Sequence, residues 1–89
     1  MKKIVKELAK MILNQSEEWV KDRFLFEVGL GALYMTSTIT QRDKDFLVRL
    51  YECLEEMSDK DRCTVTSSGV LICCINEDSL IREYKVIPY

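Results

Sequence analysis

The spacing of apolar residues changes once along the chain. Up to about residue 57 they recur every three or four positions, as on one face of a helix. Beyond it they alternate, as in strands. The first helix is expected over residues 2–13, where Ile4, Val5, Leu8, Met11 and Ile12 share a face and Lys2, Lys3, Lys6 and Lys10 hold the other. Two readings stand for residues 14–27. Asn14 caps a second helix, with Glu17 completing a capping box. Alternatively one long helix runs through Glu27, since Trp19 and Val20 continue the apolar stripe.

Residues 24–35 form the most apolar stretch and lack the β-branched enrichment of a strand. A buried helix bent at Gly29 and Gly31 is expected, with Trp19, Phe24 and Phe26 anchoring the core. Gly29-Leu30-Gly31 is no nucleotide fingerprint, because no strand precedes it and the third glycine is missing. Thr40 reads as an N-cap with Asp43 at its third position, opening a helix to about Met57. Phe46, Leu47, Leu50, Tyr51, Leu54 and Met57 make its apolar stripe, and Cys53 flanks it. Ser58 to Asp61 ends it in a polar turn.

Strands are expected at 63–67, 70–75 and 80–87, with turns at Ser68-Gly69 and at 76–79. That hairpin sets Cys63 opposite Cys74, or opposite Cys73 if the turn is bulged. The strand at 70–75 is apolar on both faces, so it is expected at the centre of the sheet with a cover on each side. The expected architecture is α+β: two or three N-terminal helices packed on a C-terminal three-stranded antiparallel β-meander, with residues 1–89 as one domain.

Composition narrows the chemistry. The 89 residues contain no histidine, which removes catalytic triads, Cys-His pairs and histidine-based zinc sites. No catalytic residue, metal site or cofactor is expected. The four cysteines lack a Cys-x-x-Cys spacing and read as reduced packing thiols of a cytoplasmic protein, in the host's cytoplasm if the gene is viral. Lysines interrupt the N-terminal segment, so no secretory signal is expected, and no uncharged run is long enough to span a membrane.

Charge ranks the functions that remain. Glu52, Glu55, Glu56, Asp59 and Asp61 form an acidic block suited to a basic protein partner, and Tyr84 with Arg82 suits an interface. Glu52 and Glu56 are four apart on one helical face, but no second pair completes a metal or acid-base site. The expected function is a small non-catalytic regulator or inhibitor that binds a protein and forms a homodimer. Its size and acidity are those of inhibitors that phage and mobile elements encode. The rival is a winged-helix DNA-binding regulator. There the helix at 41–57 is the reader, Ser67-Ser68-Gly69 the wing tip, and Lys2, Lys3, Lys6, Lys10, Arg42, Lys44 and Arg49 the phosphate contacts. The formal charge of −2 and a wing tip without Lys or Arg weaken that rival.

Overall fold

The computed structural model describes residues 1–57, 61–75 and 82–89. Four helices precede a three-stranded antiparallel sheet, an α+β arrangement as the change of period implies: α1 (Lys3–Asn14), α2 (Glu18–Lys21), α3 (Arg23–Met35), α4 (Gln41–Glu55), β1 (Arg62–Thr66), β2 (Gly69–Ile75) and β3 (Arg82–Pro88). All but Asp61 of the expected turn at 58–61, the expected turn at 76–79, and the first two residues expected in the third strand lie outside the described residues.

The chain does break after α1, but Asn14 is not the cap of a second helix. It is the last residue of α1, and Gln15 takes a left-handed conformation (φ 47°) that turns the chain. α2 is a single turn with no side-chain cap. Asp22 instead starts the next helix, accepting hydrogen bonds from the backbone N–H groups of Phe24 and Leu25 at 2.9 and 3.1 Å. The sequence signal for this start is an aspartate just ahead of an apolar run.

α4 begins where its capping box predicts. The Thr40 backbone N–H donates to the Asp43 carboxylate at 2.8 Å, and the Asp43 N–H donates to the Thr40 hydroxyl at 3.2 Å. The helix then buries Phe46, Leu47, Leu50 and Tyr51. It is the central element, packed against α1, α3 and β3. Burying apolar side chains of this size stabilises a fold by roughly 1.5–3 kcal/mol each before entropy is subtracted. An aromatic stack links the helices: Phe26 lies 4.3 Å from the Tyr51 ring at 17°, and Trp19 lies 6.2 Å from Phe26 at 14°.

β2 is central in the strand order β1-β2-β3. Val70 and Ile72 are fully buried beneath the helices, while Leu71 and Cys73 on the outer face are half-buried. The hairpin register differs from both expectations. Thr66 pairs with Gly69, so the turn is Ser67-Ser68, and Cys63 faces Ile72 while Cys73 faces Arg62. Gly69 is therefore a strand residue. It holds φ +145° against β3, where an added Cβ would lie 2.1 Å from the Ile87 carbonyl oxygen. That close approach requires glycine here, one residue beyond the turn.

The Tyr89 N–H donates to the Ser68 carbonyl at 3.0 Å, which sets the parity of β3. In an antiparallel ladder, alternate residues bond inward and outward. Glu83, Lys85 and Ile87 therefore bond toward β2, and Arg82, Tyr84, Val86 and Pro88 turn their backbone groups to the free edge. Pro88, which has no N–H, sits at one of these edge-facing positions, as proline in a sheet must.

Candidate protein-binding surface

α3 is apolar all the way round apart from Arg23 and Glu27. One face packs inward through Phe26 and Leu30, which are fully buried. The opposite face is open: Phe24 is 71%, Leu25 46%, Val28 55% and Met35 84% exposed. These four fall within about a third of the helix circumference. The expectation of a buried helix is thus corrected, and Phe24 leaves the set of core anchors. Among the described elements α3 packs chiefly on α2 and α4, and these leave its opposite face open. Gly29 meets the Trp19 ring, 3.1 Å from where a Cβ would stand, while Gly31 opens onto empty space.

The N-terminal end of this apolar face is joined to the acidic half of α4. The Arg23 guanidinium bonds Glu52 at 3.0 Å and Glu27 at 3.1 Å, and it lies 3.6 Å from Glu55. Hydrogen bonds to Glu27 and then Glu52 raise its pKa further above its ordinary value. Glu52, Glu55 and Glu56 are exposed, and Arg23, the residue before Phe24, holds the first two. Asp61 is half-buried just ahead of β1 and lines a groove with Leu54 and Met57. Asp59 lies outside the described residues. Tyr84 is on β3, on the outer face of the sheet, and the backbone of Arg82 opens that strand. The sequence-predicted set thus divides between the α3–α4 border and the sheet.

The basic candidates lie at α1 and on α4, and Lys2 is close enough to the start of α4 to act on Asp43. Lys3 and Lys10 are exposed on α1, Lys2 is exposed just before it, and Lys6 is half-buried there. On α4, the Arg42 guanidinium lies 4.3 Å from the centre of the Tyr89 ring and donates to the Tyr89 carbonyl at 2.8 Å. The Lys44 ammonium lies 5.6 Å over Tyr34 of α3. Arg49 is exposed and bonds the Asp45 carbonyl within its own helix at 3.4 Å. The Ser67-Ser68 turn is tied down, with the Met1 backbone nitrogen bonding the Ser67 carbonyl at 3.4 Å and Tyr89 bonding Ser68.

Asp43 is the one fully buried charged residue among those described. Burial alone would push its carboxyl up. Hydrogen bonds from the Thr40 backbone, Tyr89 and the Thr40 side chain outweigh that and hold it below its ordinary value, with Lys2 adding a favourable charge. Its partner Tyr89 is shifted upward, first by the bond to Asp43 and then by burial.

All four cysteines are free thiols and half-buried. The Cys63 sulfur meets the Met57 sulfur at 3.8 Å beneath the sheet. Burial, then neighbouring Cys53, raises the Cys63 thiol, and burial, then Asp61, raises Cys74, so both stay protonated and poorly nucleophilic at neutral pH. An open groove of about 720 Å³ runs between the ends of α1 and α4 and the start of β1, lined by Lys10, Asn14, Met57, Asp61 and Cys63 among others. Among the described residues, no three His, Cys, Asp or Glu side chains converge as a metal site. No helix among them is long and apolar enough to cross a membrane. No family model matches the chain, and no curated protein or solved structure matches it either.

Proposed function

We propose that this protein is a non-catalytic regulator or inhibitor that acts by binding another protein, and that it works as a homodimer in the cytoplasm, or in the host's if the gene is viral. The open face of α3 carries this reading. Phe24, Val28 and Met35 repeat at the spacing of helix anchors that enter an apolar groove. Apolar patches of this kind on a small domain are characteristic of binding sites. Glu52 and Glu55, held by Arg23 next to Phe24, favour a partner whose groove carries lysine or arginine at its rim.

The DNA-binding reading has less support. α4 has neighbours on three sides, and its Arg42 and Lys44 are engaged with Tyr89 and Tyr34. The exposed face of α4 sets Asp45, Glu52 and Glu56 beside Arg42 and Arg49, a mixed charge that suits a groove-reading helix poorly.

The test is affinity capture from the native host with wild-type protein and with the double variant Phe24→Glu/Met35→Glu. Both positions are exposed, so the variant is expected to keep its circular dichroism spectrum and melting temperature. A specific protein retained by the wild type and lost by the variant is the expected result. Equal capture by both removes α3 from the reading. A salt-sensitive shift of random duplex DNA with no captured protein turns the choice to the rival.

A further inference from the structure

We infer that the free edge of β3 pairs antiparallel with β3 of a second copy, centred on Tyr84, to make a continuous six-stranded sheet. This rests on the homodimer part of the proposed function and gives it a surface.

β3 has β2 on one side and no strand on the other among the described residues. Helices lie against both edge strands, α1 against β1 and α4 against β3. An edge with unpaired N–H and C=O groups is a template for another strand unless it is blocked. On β3 those groups belong to Tyr84 and Val86, with Arg82 before them, and both side chains are open, at 63% and 62% exposure.

Charge selects the register. With Tyr84 opposite Tyr84 of the second copy, Glu83 falls opposite Lys85 in both directions. These are non-hydrogen-bonded positions of the new ladder, where side chains approach most closely. Both residues are exposed although they lie on the helix-facing side, so the helical layer leaves this end of β3 uncovered. In the same register the outward groups of Tyr84 bond each other, and those of Arg82 bond those of Val86. A register centred on Lys85 sets two lysines face to face, and one centred on Glu83 sets two glutamates. A register centred on Val86 puts Pro88, which has no N–H, opposite Tyr84.

The outer face of the sheet agrees with this arrangement. Leu71 pairs with Val86 and Cys73 with Tyr84 across β2 and β3, an apolar patch that ends at the open edge. Pairing about Tyr84 brings the two patches together and extends them across the two-fold axis, as an isologous contact requires.

Light scattering across micromolar concentrations tests the inference, with folding monitored by circular dichroism. The wild type is expected to be a dimer. Glu83→Lys places lysine against lysine at both ends and is expected to raise the dissociation constant about tenfold or more. Glu83→Lys/Lys85→Glu exchanges the charges and is expected to restore it. Tyr84→Pro removes an N–H that points away from β2, so it is expected to give a folded monomer. A dimer that survives Glu83→Lys and Tyr84→Pro, or a charge exchange that fails to restore it, overturns the edge pairing. Loss of the dimer in Phe24→Glu but not in the β3 variants does the same and moves the contact to α3. A wild-type monomer overturns both the edge pairing and the homodimer, while leaving capture of a partner through α3 to be judged by its own test. If Tyr84→Pro unfolds, the charge exchange decides alone.

Discussion

The phenol of Tyr89 donates a hydrogen bond to the buried carboxylate of Asp43, 46 residues earlier in the chain. The contact ties the end of the sheet to the start of α4, because Asp43 is also the third residue of that helix's capping box. The Tyr89 ring lies beneath Arg42 and meets Phe46 edge-on at 5.5 Å. One side chain therefore closes a site built by two distant elements.

Tyr89→Phe keeps both ring contacts and removes only the hydroxyl. It is expected to lower unfolding stability by about 1–3 kcal/mol, the cost of leaving a buried acceptor short of a donor. Urea unfolding, read as a shift in midpoint at constant slope, measures it. An unchanged midpoint would show that the carboxylate gains nothing from the phenol.

Acid is expected to remove stability through Asp43. Its folded-state pKa is depressed relative to the unfolded chain, so its contribution is fully present above about pH 4 and is lost as pH falls through the lower, folded value. Asp43→Asn should be less stable at pH 7. The gap between it and the wild type should then narrow on titration below pH 4. A constant gap down to pH 2 would locate the acid sensitivity elsewhere.

The two glycines of α3 are expected to respond differently to alanine. Gly31 faces open space, so Gly31→Ala should raise stability by up to about 1 kcal/mol through helix propensity alone. Gly29→Ala brings a methyl group within 3.1 Å of the Trp19 ring and should gain less, or lose stability. Thermal melts of the two variants compare them directly, and equal gains would mean that Trp19 moves aside freely.

Contrasting α4 with α3 explains how much of the molecule was legible. α4 could be read because both of its determinants are local: Thr40 and Asp43 satisfy each other three residues apart, and the stripe from Phe46 to Leu54 contrasts with a charged opposite face. α3 has no such contrast. Its period identifies a helix, but an almost wholly apolar helix carries no signal for which side is covered. The positions of α2 and α4 decide that Phe26 is inside and Phe24 outside. The acidic candidates were visible as a block, whereas their junction with the apolar face depends on Arg23, which is 29 residues from Glu52.

By itself, the chain of 89 residues determined the class of fold, the central place of the strand at 70–75, the cap of α4 and the absence of imidazole chemistry. These come from periodicity, short-range hydrogen bonding and composition, which act within a few residues or on the whole chain. Tertiary structure alone decided that the turn is Ser67-Ser68, that Cys63 faces Ile72, that Asp43 is sealed by Tyr89, and that β3 offers Tyr84 and Val86 along an open edge. Each depends on contact between segments distant in sequence. The clearest case is Gly69, where the approach of the Ile87 carbonyl, 18 residues later, leaves no room for a side chain.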